Sequence, residues 1–155
     1  MTVAPKIYVD ADSCPVKDET ARVAVRHGLS VVFVANAWLA LPRAPGIRMQ
    51  VVSGSFDAAD DWIVEQVLRD DIVVTADIPL ASRALKKGSR VLGPSGKPFT
   101  EDNIGNALAS RELMADLRAY GVGSGPPPFS PRDRSRYLEA LESMVRLARS
   151  SRGGA

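Results

Sequence analysis

Short apolar runs alternate with amphipathic stretches through the first two thirds of the chain, as they do where strands and helices take turns. Residues 6–9, KIYV, read as a buried strand that ends at Asp10. Pro15 suits the first turn of a helix, where the N–H it lacks would go unpaired anyway. That helix runs to about His27, and Gly28 is its stop. Residues 31–34 form a second run of β-branched and aromatic residues. The segment ANAWLALPRAPG that follows reads as a loop or a broken helix, because its prolines and glycine interrupt any period. Residues 49–52 read as a third strand and SGSFD as a turn. Asp57 then stands as N-cap of a helix from Ala58 to about Leu68. Asp71 leads into a fourth strand, residues 72–75. A helix with Pro79 in its first turn reaches Lys87 and stops at Gly88, and residues 90–92 read as a fifth strand.

Such alternation indicates βαβ units, a mainly parallel sheet and right-handed crossovers. After Gly93 the character changes. PSGKPF reads as a turn-rich loop, Thr100 with Asn103 to Tyr120 reads as a helix over about 100–120, and GVGSGPPPFSP is a linker too rich in proline and glycine for regular structure. A closing helix over 133–148 carries an apolar stripe at Leu138, Leu141, Met144, Val145 and Ala148. The expected architecture is therefore one α/β domain over residues 1–150, a five-stranded sheet flanked by helices with a helical C-terminal extension, and a flexible tail at 151–155.

Composition narrows the class without naming a function. The 155 residues are 45% apolar and 25% charged, a globular balance. Cys14 is the only cysteine, so no internal disulfide can form, and together with the lack of a signal-like apolar run near the start it leads us to expect a cytoplasmic protein. No stretch approaches the roughly 20 apolar residues of a membrane span. The net charge of +2 points to no partner, but its distribution is uneven. Residues 111–155 hold eight basic and five acidic side chains, and all eight basic ones are arginine. Arginine suits bidentate phosphate contacts, although a solvated helix face explains the same run.

The candidate chemistry lies in the aspartates. In an open parallel sheet, ligands bind beyond the carboxyl ends of the strands. Asp10 and Asp12 follow the first strand, Asp57, Asp60 and Asp61 the third, and Asp77 the fourth. Taken singly, Asp57 and Asp77 are explained as helix caps and Asp61 as part of a solvated face. Asp60 differs, because it falls in line with Ile63, Val64 and Val67, the apolar stripe of its helix. Asp10 follows directly on a buried strand and cannot easily swing into solvent. Neighbouring carboxylates raise one another's pKa, and a hard cation such as Mg²⁺ or Mn²⁺ relieves the repulsion. Asp10, Asp60 and Asp77 are the candidate catalytic residues, and with Asp12 and Asp57 they form the candidate metal set. Lys17, Asn36, Arg83 and Arg111 are the candidate contacts to a phosphate-bearing substrate. One Cys and one His give no zinc spacing, and neither GxxxxGK[ST] nor GxGxxG is present. His27 reads as a surface residue.

DADSCPVK, DAADDWI and VVTADIPLASRAL, in that order, resemble the YaiI/YqxD family of bacterial proteins. FVAN at 33–36, Asn103 with Ile104, and GPPPFSPRDRSRYLEAL extend the likeness over nearly the whole chain. The core is similar to that of PIN-like nucleases. That resemblance implies a parallel sheet of order 3-2-1-4-5 and a ring of acids that binds Mg²⁺ or Mn²⁺ for RNA cleavage. Asp10 matches the first-strand acid of such nucleases, Asp60 (or else Asp57) the acid on the central helix, and Asp77 the acid after the fourth strand. The usual fourth acid has no clear counterpart; Glu101, Asp102 and Asn103 are nearest, and Asp12 is an extra acid available to fill the gap. Three other readings stay open: a receiver-like phosphoacceptor domain using Asp57, Thr75 and Lys97; a haloacid-dehalogenase-type phosphohydrolase built on Asp10 and Asp12; and a nucleic-acid-binding protein without catalysis.

Overall fold

A computed structural model describes residues 4–12, 14–55, 57–121 and 128–153. The expected alternation is present. Strands β1 (Ile7–Asp10), β2 (Val31–Ala35), β3 (Ile47–Val51), β4 (Ile72–Val74) and β5 (Arg90–Leu92) are parallel neighbours in the order β3-β2-β1-β4-β5. Helix α1 (Lys17–His27) connects β1 to β2, α2 (Ala58–Gln66) connects β3 to β4 and α3 (Ile78–Lys86) connects β4 to β5, while a loop joins β2 to β3.

The central strands are apolar on both faces because both faces are covered. Successive side chains point to opposite sides of a strand. Ile7, Val9, Val31, Phe33, Ile72, Val74 and Leu92 therefore join one core, and Tyr8, Val34, Val73 and Val91 join the other. The first core is closed by α1 and the C-terminal helix α5 (Pro131–Gly153); the second is closed by α2 and α3 through Ile63, Val67, Leu80 and Ala84.

The structure corrects the sequence reading in four places. PSGKPF is not merely a loop. Gly96, at φ +91°, turns the chain so that β6 (Pro98–Phe99) pairs antiparallel with β5 and adds a sixth strand. Helix α5 is longer than expected at both ends. It starts at Pro131 because Ser130 is its cap: the Asp133 N–H donates to Ser130 Oγ, and the Ser130 N–H donates back to an Asp133 carboxylate oxygen. Residues 151–153, read as tail, continue the helix. The buried stripe of α5 is Tyr137, Leu141, Val145 and Ala148, with Leu138 and Met144 only partly covered.

Finally, His27 is no mere surface residue. Its Nε2 lies 2.8 Å from a Glu142 carboxylate oxygen, and Arg26 pairs with the same carboxylate, so the end of α1 is tied to α5. Tyr137 adds a buried tie: Thr20 Oγ1 donates to the Val16 carbonyl and so accepts from the Tyr137 hydroxyl at 2.6 Å. The expected linker falls largely on residues 122–127, outside the described residues, as do Phe56 of the SGSFD turn and residues 154–155 of the tail. Among the described residues no helix is long and apolar enough to cross a membrane.

Candidate functional site

The strand order reverses between β1 and β4, since β1 continues outward through β2 and β3 while β4 continues through β5. A crevice at such a switch point is the usual ligand position of an open α/β sheet. Asp10 is the last residue of β1, and Thr75 is the first residue beyond β4. Because these two strands are hydrogen-bonded neighbours, their ends meet. Thr75 Oγ1 donates to Asp10 Oδ2 at 2.9 Å and accepts from the Asp77 N–H at 2.9 Å. Asp77 is the N-cap of α3, its Oδ1 accepting from the Leu80 N–H at 2.9 Å. One oxygen each of Asp10 and Asp77 is thus engaged, and Thr75 fixes both residues. The nuclease reading of the sequence gave Thr75 no role beside these acids; only the receiver-like alternative used it. Its only local signal was a hydroxyl closing an otherwise apolar strand.

Asp60 stands in the first turn of α2, the helix that packs over β1 and β2. No hydrogen-bond donor and no ion pair holds its carboxylate among the described residues. Its pKa is pushed up to about 6, first by burial and then by the negative charges of Asp77, Asp10 and Asp57, with Arg83 opposing. Burial also raises Asp10. The Thr75 hydrogen bond opposes that shift, and Asp77 and Asp12 add to it. Asp10, Asp60 and Asp77 therefore share one field of negative charge. Asp12 and Asp57 lie at its rim: Asp12 Oδ2 accepts from the Asn36 N–H at 3.0 Å, and Asp57 is exposed and makes no side-chain cap. Among the described residues no three carboxylate, imidazole or thiol groups are already gathered tightly enough to grip a metal ion. The set has the hard oxygens and the excess charge that Mg²⁺ or Mn²⁺ prefers, with no side-chain cation in ion contact with Asp10, Asp60 or Asp77 among the described residues.

The remaining candidates divide. Asn36 reaches the site through its backbone. Lys17 Nζ donates to the Cys14 carbonyl at 2.7 Å, which fixes the loop before α1. Arg83 pairs with Asp61 at 2.8 Å while still lowering the pKa of Asp60. Arg111 lies on α4 (Glu101–Ala119), in a groove that also touches Ile78, the neighbour of Asp77. No fourth acid comes from the start of α4. Asn103 completes a capping box with Thr100, Glu101 faces a pocket shared with α5, and Asp102 is exposed. Asp71, the other buried aspartate, is at the opposite end of the sheet. Its two oxygens accept the Lys6 and Leu68 N–H groups at 2.9 Å each, so it offers no second acid pair for a dehalogenase-type site.

The raised pKa of Asp60 has a measurable sign. Folded protein holds a proton there that the unfolded chain releases near the ordinary value of 3.8, so stability falls as pH rises from about 4 to about 6 and stays reduced above that. Asp60→Asn removes the charge. In EDTA the variant should be more stable than wild type at pH 8, by roughly 1 kcal/mol once solvent screening of this partly exposed group is allowed for, and equal to it near pH 4. Urea melts at the two pH values check this; a variant no more stable at pH 8 would mean that Asp60 carries no electrostatic strain.

Comparison with known proteins agrees with the motifs. The model of the "Uncharacterized BCR, YaiI/YqxD family" matches residues 8–147. A UPF0178 protein of Sphingopyxis alaskensis is 59% identical over 150 residues, covering 94% of this chain and 97% of its own. One from Bradyrhizobium sp. (strain ORS 278) is 54% identical over 147 residues, covering 94% and 90% respectively. Another, from Rhodopseudomonas palustris (strain BisB5), is 57% identical over 142 residues, covering 91% and 87%. With the family model spanning nearly the whole α/β domain and relatives this similar along nearly their full lengths, the chain belongs to the YaiI/YqxD family.

Proposed function

We propose that this protein is a divalent-metal-dependent phosphodiesterase acting on nucleic acid, most naturally RNA, at the crevice between β1 and β4. The reading is carried by Asp10 and Asp77, linked through Thr75 at the ends of β1 and β4, and by Asp60 in the first turn of α2, whose carboxylate feels the charge of both, with no ion pair to any of the three among the described residues. Charge of this kind is costly unless a ligand offsets it. The parallel strand order, with acids after the first, third and fourth strands, is also what a PIN-like nuclease would need.

Asp10, Asp60 and Asp77 would hold the cation, with Asp12 and Asp57 near enough to add charge. Mg²⁺ or Mn²⁺ bound there supplies positive charge for the extra negative charge that a phosphodiester gains in its transition state. The chain's own part is positioning. Thr75 locks the Asp10 rotamer and the turn before Asp77, and the α3 cap engages Asp77 Oδ1 and leaves its second oxygen without a hydrogen-bond partner among the described residues. Arg83, close enough to lower the pKa of Asp60, stands where it can meet a substrate phosphate.

Manganese should stabilise the folded protein. A ligand bound only to the native state adds about 2.7 kcal/mol at 100 times its Kd. For a chain of this size that is a rise in Tm of roughly 5–10 °C. Asp10→Asn should abolish most of the rise, because the Asn carbonyl still accepts from Thr75 but brings no charge. A rise of equal size in Asp10→Asn would put the ion elsewhere, and no rise in wild type would overturn the metal reading.

A further inference from the structure

Helix α4 is 19 residues long and buries none of them. It rests on α3, and between it, Ile78 and the β5–β6 hairpin runs a groove of about 610 Å³. The helix side of that groove is a regular stripe at positions 103, 106, 107, 110, 111, 114 and 118, spaced three and four apart. A stripe at this spacing is normally apolar where a helix docks on a core. Here Ala107 and Met114 share the stripe with Asn103, Asn106, Ser110, Arg111 and Arg118, Ile78 and Phe99 also line the groove, and Lys97 faces it from the hairpin. The acids of α4 do not line the groove.

The cations are also unspent. Arg134, Arg136, Arg146 and Arg26 pair with acids around α5, and Arg149 donates to the His27 carbonyl, so much of the arginine-rich C-terminal segment serves the fold. Lys97, Arg111 and Arg118 have no ion pair among the described residues. Arg111 and Arg118 are separated by seven residues, about 10.5 Å of helix, which suits two separate phosphates of a chain better than a single phosphate. Tyr120, just past Arg118, is 85% exposed and offers a ring on which a base can stack. Ile78, the neighbour of Asp77, also lines the groove.

We infer that this groove is the track for single-stranded nucleic acid, with Lys97, Arg111 and Arg118 on the phosphates flanking the one presented to the acids. The inference rests on the phosphodiesterase reading for its direction, and binding can be tested without the chemistry. In EDTA, a fluorescein-labelled 12-nucleotide oligouridylate should bind wild type, as read by anisotropy. Arg111→Ala/Arg118→Ala should weaken binding at least 10-fold and reduce the salt slope by roughly 1.4, at about 0.7 per lost single-strand phosphate contact. Lys97→Ala, which lies off the helix and so guards against a misfolded α4, should weaken it by about 3-fold. Circular dichroism melts should match wild type in each case.

Wild-type hydrolysis of bis(4-nitrophenyl) phosphate with Mn²⁺ reports on the acids alone. No hydrolysis, with oligonucleotide binding still lost in the variants, would sink the phosphodiesterase reading and support the track. Binding unchanged in the variants, or absent from wild type, would overturn the track whatever the hydrolysis shows. So would a wild-type dimer that the double variant dissolves while keeping its oligonucleotide affinity, since the face would then belong to a second copy.

Discussion

Replacing Gly96 by valine should lower the melting temperature by about 10 °C, the largest stability loss expected of any single turn substitution in this fold. Gly96 sits at φ +91°, a conformation that side chains rarely adopt. A Cβ there would stand 2.6 Å from the Arg136 carbonyl carbon and 2.8 Å from both the Arg136 oxygen and the Tyr137 nitrogen. These are backbone atoms of α5, so no rotamer change relieves the contact. Either the hairpin turn or the helix must move. Moving α5 disturbs Tyr137, Leu141, Val145 and Ala148, all fully buried, and the Tyr137–Thr20 hydrogen bond with them. Left-handed strain adds about 1–2 kcal/mol and overpacking about 1–3 kcal/mol. A sum of about 2–5 kcal/mol is a large part of the 5–15 kcal/mol typical of a folded domain. Gly54→Val is the comparison. Gly54 has φ +121° but nothing within 4 Å of an added Cβ, so that variant should suffer the strain alone. Melting curves of the two variants decide the matter. Equal midpoints would mean that α5 does not pack on the Gly96 turn as described.

Gly96 also marks how far the sequence could be read. The five parallel strands were legible as short apolar runs bounded by punctuation, although β3 begins at Ile47, two residues before the run read as a strand, and is only partly buried. β6 was not, because a two-residue strand that begins with proline has no period and is held by the strand beside it. The start of α5 was missed by two residues because Ser130 and Asp133 were read as linker and helix instead of as the two halves of one cap. Tyr137 went unassigned to the core because its hydroxyl is satisfied by Thr20, 117 residues earlier. His27 and Glu142 are a similar case, 115 residues apart.

The acids divide the same way. That Asp10, Asp60 and Asp77 follow three strands, or the start of a helix after one, can be read from spacing. That Thr75 binds Asp10 and the Asp77 backbone at once depends on β1 and β4 being neighbours, which no local pattern states. The arginines were legible as a segment but not by task. Those of α5 are mostly consumed by Glu19, Asp133 and Glu142, and only the sheet and helix packing separates them from Arg111 and Arg118.

The central claim is that the acids between β1 and β4 do phosphodiester chemistry, and Asp77→Asn tests it most directly. Asparagine caps a helix as well as aspartate does, so the contact to the Leu80 N–H and the fold should persist. What is lost is the charge that would hold a cation beside Asp10 and Asp60. If transition-state charge is stabilised there, turnover should fall at least 100-fold, equivalent to about 2.7 kcal/mol. Binding of substrate measured in EDTA should change little, because it rests on cations elsewhere. The measurement is a side-by-side assay of purified wild type and Asp77→Asn on single-stranded RNA with Mn²⁺ and with Mg²⁺, with melting curves run on the same preparations. The account predicts metal-dependent cleavage by wild type and at least a 100-fold lower rate in the folded variant. Equal rates in both proteins, or no cleavage by wild type with either metal across several RNAs, would contradict it.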